Sequence, residues 1–156
     1  MSLVYSIDTS SMIAAWAEAY PIEVFPSFWV KMTELIGTGR AGCISVVKDD
    51  LEKKNDDLTK WASQTDGLFH ELSAEVQLAA SAILADAKHQ KLVDSVKGRS
   101  GSDPFVIALA KVHGACVVSQ EGFARKKIKI PDVCSDMGIE CINLLGMMRR
   151  EGWTFG

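Results

Sequence analysis

Short apolar runs alternate with longer stretches of helical periodicity along this chain of 156 residues. Leu3-Val4-Tyr5-Ser6-Ile7 is the first such run, of the kind that fills the middle of a parallel sheet. Cys43-Ile44-Ser45-Val46-Val47 and Ala115-Cys116-Val117-Val118-Ser119 repeat it, Leu68-Phe69 predicts a brief strand, and Ile139-Glu140-Cys141-Ile142-Asn143 a last one. Helical patterns fill the intervals. Met12–Ala17 follows the hydroxyl-rich Thr9-Ser10-Ser11, whose side chains are expected to cap it, and Tyr20-Pro21 closes it. Phe25, Trp29, Met32 and Ile36 form one apolar stripe on a helix starting near Pro26. Lys48–Lys54 begins a helix with acid early and base late, as the helix dipole favours. Asn55 or Asp56 then caps a short helix through Leu58 and Trp61. Ser73 opens a helix with Val76, Ala80, Ile83 and Ala87 on one face, and Lys91–Val96 predicts another helical turn. Asp103-Pro104 starts a helix that stops at His113-Gly114; proline suits the first helical position, and Asp103 or Ser102 caps the exposed amides. Pro131–Gly138 predicts one more turn, and Leu144–Arg150 a final helix with Gly152 beyond its end. Strands alternating with helices, with no repeat or linker, predict one α/β domain over residues 1–156 with a mainly parallel sheet.

Composition narrows the function classes. Hydrophobic residues make up 47% of the chain, enough for a real core, and the net charge of −3 excludes an overall basic nucleic-acid binder. No apolar stretch approaches the ~20 residues of a membrane span, and no signal peptide is visible, so a cytoplasmic protein with no membrane partner is expected. Cys43, Cys116, Cys134 and Cys141 form no CxxC pair and no zinc spacing; three fall in predicted strands as small buried hydrophobes. Gly37, Gly39 and Gly42 spell G-x-G-x-x-G, but a helix precedes them and a strand follows, the reverse of a nucleotide-binding turn. His70, His89 and His113 have no sequence partner that suggests metal or general-base chemistry, and the four tryptophans read as core or interface residues.

Four acids occupy comparable places. Asp8 follows the first strand, Asp50 lies in the first turns after the second, Asp103 begins a helix, and Glu121 follows a later strand. Strand C-termini share one edge of a parallel sheet, which is where ligands bind. Carboxylates crowded there would repel one another, and a divalent cation with oxygen preference removes the conflict. Such a cage, holding Mg²⁺ or Mn²⁺, fits metal-assisted phosphodiester hydrolysis with a metal-activated water. Each acid also has a plainer reading: Asp8 and Asp103 as helix caps, Asp50 as one of several solvated acids, with Asp49 and Glu52 its rivals for the site by spacing alone, and Glu121 as a loop residue.

Ser6-Ile7-Asp8-Thr9-Ser10-Ser11-Met12-Ile13 resembles the opening of PIN domains, and Val46-Val47-Lys48-Asp49-Asp50-Leu51 their second acidic segment. Asp103-Pro104-Phe105-Val106-Ile107-Ala108-Leu109-Ala110 is similar to the third, and Val117-Val118-Ser119-Gln120-Glu121 to the fourth. Lys129–Cys134 and Glu151–Phe155 resemble one uncharacterised PIN-like branch of bacteria and archaea, related to the toxins of VapBC-type pairs. The resemblance implies a three-layer α/β/α sandwich and a Mg²⁺- or Mn²⁺-dependent endoribonuclease, the toxin of a type II toxin–antitoxin pair. Asp8, Asp50, Asp103 and Glu121 would hold metal and water, and Ser10 and Ser119 would support them by hydrogen bonding. RNA is the implied substrate, a small antitoxin and a second copy of the chain the implied partners. Asp50 stands where Glu is usual and Glu121 where Asp is usual, which shifts the reach of each carboxylate by a methylene. The alternatives are a weak or inactive PIN-like protein-binding module and a nuclease acting on DNA. Arg99, Arg125, Lys126 and Lys127 flank the acids in sequence and are candidate phosphate contacts, against solvated loops as the plain alternative. Phe123 is a weaker candidate for base stacking.

Overall fold

A computed structural model describes residues 2–48, 51, 56–86, 103–120 and 130–155. Five parallel strands form the central sheet: β1 (Tyr5–Ile7), β2 (Ala41–Ile44), β3 (Phe69–His70), β4 (Cys116–Val118) and β5 (Cys141–Ile142). Their order is β3-β2-β1-β4-β5. The chain moves one way from β1 through β2 to β3, then crosses back to build β4 and β5 on the other side. Right-handed crossovers in opposite directions put their helices on opposite faces, which makes a three-layer α/β/α sandwich. β1, β2 and β4 are buried along their whole length, which explains why they read as continuous apolar runs.

One face carries α1 (Thr9–Ala14), a π-helical segment (Ala15–Ala19), α2 (Pro26–Gly37) and α3 (Asp56–Ser63). Trp29, Met32 and Ile36 of the expected stripe are buried, whereas Phe25 precedes the helix and is partly exposed. The π segment is absent from the sequence expectation. In it Tyr20 N donates to Ala15 O, five residues back, at 2.8 Å. Trp16, Trp29 and Trp61 meet in this layer, with Trp29 edge-on to each of the others at ring centroids 4.9 Å apart.

The other face carries α4 (Ala74–Ala85), α5 (Asp103–His113) and α6 (Ile130–Met137). Ser73 caps α4 as expected, its hydroxyl accepting from Val76 N at 3.2 Å. Pro104, Val106, Ile107, Ala108, Leu109 and Ala110 are all buried, so α5 is apolar nearly all round. It lies against the sheet with α4 and α6 beside it. The last helix, α7 (Leu144–Glu151), ends at Gly152, whose φ of 70° is a left-handed cap.

Two local expectations shift. β2 starts at Ala41 rather than Cys43 and turns at Ser45, because its register is set by β1: Tyr5 pairs with Ala41 and Ser6 with Gly42. Gly42, a poor strand former by itself, is accommodated because the His70 ring occupies the space beside it; a Cβ there would come within 2.5 Å of that ring. The Ser10 and Ser11 hydroxyls after β1 do not cap α1. Ser10 turns to a carboxylate and Ser11 to the Val118 carbonyl. Cys43, Cys116 and Cys141 lie on strands as expected, the first two buried and Cys141 only partly, and all four cysteines are free thiols.

Candidate functional site

Reversal of strand order between β1 and β4 creates a switch point, the place in an open parallel sheet where a crevice forms outside the strand C-termini. Asp8 leaves β1 there and Ser119 leaves β4. Their alignment follows from register. Ile7 pairs with Val118, and Asp8 N donates to Val118 O at 2.9 Å. The next residues on both strands are therefore neighbours, and Ser119 Oγ donates to Asp8 Oδ2 at 3.1 Å. Ser10 Oγ donates to the same oxygen from the first turn of α1.

This arrangement bears directly on the capping alternative. Asp8 is the N-cap residue of α1 and its backbone is extended, yet its side chain makes no capping hydrogen bond. Its carbonyl oxygen takes the first-turn amides of Ser11 and Met12 instead, at 3.1 and 3.4 Å. Asp8 is 2% exposed. A buried carboxylate is costly without charge-matched partners or hydrogen-bond donors, so its place here needs compensation. The two serine hydroxyls supply part of it.

The surroundings reinforce the carboxylate's isolation from water. Cys43 on β2 is completely enclosed; burial, and secondarily the Asp8 charge, push its thiol well above the usual range. It is a protonated floor residue, not a nucleophile.

Asp103 is the first residue of α5 and half-buried. α5 precedes a parallel strand, so it runs antiparallel to the sheet and starts at the strand C-terminal rim. Ser6 Oγ donates to Val106 O at 2.8 Å, pinning the helix over β1 about one turn below Asp103. Asp8 and Asp103 thus belong to the same rim from two elements. Asp50 and Glu121 lie outside the described residues, and so do Arg99, Arg125, Lys126, Lys127, Phe123 and His89. Lys48 and Gln120, the described residues preceding Asp50 and Glu121, follow the C-terminal ends of β2 and β4. Among the described residues, no group of three or more His, Cys, Asp or Glu side chains is arranged to hold a metal ion.

Sequence reasoning missed two contacts near this rim. Gln120 Oε1 accepts from Leu144 N at 3.0 Å, fastening the end of β4 to the start of α7. Ser11 Oγ donates to Val118 O at 3.1 Å, a second stitch across the switch point. Both serve strands paired through the sheet rather than neighbours in sequence, so no local pattern marks them.

No curated protein matches the chain. Residues 5–155 match a family described as a domain of unknown function, DUF4411. That match spans the sheet, both helical layers and the rim at Asp8, and the chain belongs to the DUF4411 family.

Proposed function

We propose that this protein is a divalent-metal-dependent nuclease of PIN type that hydrolyses RNA phosphodiesters at the strand C-terminal rim. The observation that carries the reading is Asp8: a buried carboxylate at the switch point, aimed by Ser10 and Ser119 instead of capping its helix. Carboxylates ligating a cation are held in this way by outer hydrogen bonds. An oxygen-only donor set suits Mg²⁺ or Mn²⁺. Asp8 and Asp103 would hold the ion, with Asp50 and Glu121 completing the set. Bound there, the cation would activate water and offset charge on the phosphate. The protein's own share is to fix Asp8 in one orientation, keep bulk water from its inner side, and bring Asp103 to the rim through α5. RNA phosphates would be held by Arg99, Arg125, Lys126 and Lys127, which flank the acids in sequence. Within this reading the chain serves as the toxin of a toxin–antitoxin pair, with a small antitoxin and a second copy of itself as partners.

The reading is tested by titrating Mn²⁺ into the full chain and into Asp8→Asn. Wild type is expected to bind saturably and to cleave RNA in a chelator-sensitive way. Asp8→Asn is expected to lose both by at least about a hundredfold, since losing only an outer hydrogen-bond partner of a ligand already costs about 10–100-fold. A wild type that binds neither Mn²⁺ nor Mg²⁺ would make Asp8 a structural residue and end the proposal. Cleavage of DNA in preference to RNA would keep the metal site and overturn the substrate.

A further inference from the structure

His70 and His113 belong to different layers of the sequence and meet in the fold. His70 closes β3, the edge strand next to β2, and His113 is the last residue of α5. Their rings lie 6.2 Å apart, centroid to centroid, at 70°. The His70 ring is laid over the bare Cα of Gly42: a Cβ there would fall 2.5 Å from both Cδ2 and Nε2. Nε2 is buried with no hydrogen-bond partner. A neutral imidazole tolerates this, because one of its nitrogens is an acceptor without a proton. An imidazolium does not, because both nitrogens then carry N–H and a charge would sit in the enclosed position.

We infer that His70 and His113 form an acid-sensitive latch that holds edge strand β3 on the sheet while His70 is neutral and releases it when His70 takes up a proton. The inference is independent of the nuclease reading and concerns the opposite side of β2 from β1. The strand held by the latch is slight. It is anchored to β2 by Ser45 N donating to His70 O at 2.8 Å, next to Cys43 N donating to Leu68 O at 2.7 Å. Protonation therefore competes with very few ladder bonds.

The groups around His70 act in one direction. Burial, and then the neighbouring His113, hold its pKa below the ordinary value. β2 offers Gly42 and Ile44, neither of which titrates. Lys111, on the last turn of α5, and Glu71, next along the chain, are exposed. When His113 is charged as well, like-charge repulsion adds to the cost of an imidazolium at His70.

The test uses the full chain. Histidine NMR titration is expected to place the His70 midpoint below the free imidazole value of about 6.5 and to move it upward in His113→Gln. Hydrogen exchange, corrected for intrinsic rates, is expected to show the Cys43 and Ser45 amides losing about tenfold in protection between about pH 7.5 and about pH 5.5, since an open state that alone binds the proton gains a factor of about ten per pH unit only below its own pKa of about 6.5. In His70→Phe, which keeps a ring over Gly42 without a titrating group, that loss is expected to vanish. If His70→Phe does not fold, His70→Gln removes the titrating group with a smaller side chain, and the loss is expected to vanish in it as well. A wild-type His70 that titrates at or above the free value overturns the latch, as does unchanged protection of both amides across the range.

Discussion

A serine hydroxyl is a modest group, yet two of them decide what Asp8 can do. Ser10 and Ser119 both donate to Oδ2, one from α1 and one from β4, so the carboxylate plane is set by two elements at once. Ser119 is itself almost completely buried, with no solvent to compete for its proton. Removing it should therefore loosen the aim of the carboxylate and leave a buried charge short of a donor. Ser119→Ala is expected to weaken Mn²⁺ binding by about 10–100-fold and to cost about 1.5–3 kcal/mol in urea unfolding without metal, as isothermal titration and urea unfolding would show. Affinity equal to wild type would mean that the hydroxyl merely fills a buried space. The residue types at this site were legible from the sequence because an acid followed by hydroxyls after an apolar run is a local signal. The direction of the hydroxyls was not legible. Capping the helix and holding the acid use the same residues, and only the pairing of Ile7 with Val118 decides between them.

At the scale of elements, the far ends of the strands are fastened by a second polar group that no local pattern announces. Tyr5 starts β1, Arg40 precedes β2, and Glu151 ends α7. Tyr5 Oη donates to Glu151 Oε2 at 2.5 Å, and Arg40 grips the same carboxylate through Nη1 and Nη2 at 2.6 and 2.9 Å. The Glu151 side chain is only 9% exposed, so the clamp is protected from solvent on the carboxylate side. It ties the last helix to the first two strands, and it is followed by Trp153, whose ring meets Phe28 of α2 edge-on at 6.0 Å. Glu151→Gln removes the charge from three donor contacts. It is expected to cost about 1.5–3 kcal/mol in urea unfolding at neutral pH, the range for hydrogen bonds to a charged group. A cost within experimental error would reduce the clamp to a surface ion pair. Helices and strands were readable from periodicity because each carries its own repeat. The clamp joins residues more than a hundred positions apart, and the π segment is a local departure from the repeat itself, so neither leaves a trace in periodicity.

For the whole molecule, His70 and Glu151 are two of the described groups that make stability depend on pH, and both weaken it in acid. His70 has a folded pKa below its ordinary value of 6.5, so the unfolded chain binds more protons below that pH, and stability falls as pH drops from there through the folded value. Burial works to raise the Glu151 pKa, but the hydrogen bonds from Arg40 and Tyr5 outweigh it and leave it below the ordinary 4.5. Its contribution is complete above that pH and is lost as pH falls through the depressed value. Urea midpoints measured down the pH scale are therefore expected to decline first near the histidine range and again in the carboxylate range, the first decline removed by His70→Phe and the second made smaller by Glu151→Gln. A single stage starting below about pH 4.5 would leave His70 without influence on folding. The parallel three-layer architecture was legible in the order of elements, whereas the His70–His113 contact required the crossover from β3 to β4. That crossover also fixes the two borders of the sheet, β3 and β5, at two residues each. So short a border gives a foreign strand almost no ladder to join, which protects the protein against edge-to-edge association in concentrated solution. The protection is conditional. If β3 lifts away, the new border is β2, four consecutive buried residues from Ala41 to Ile44, and mild acid should then convert a self-contained sheet into one that templates aggregation.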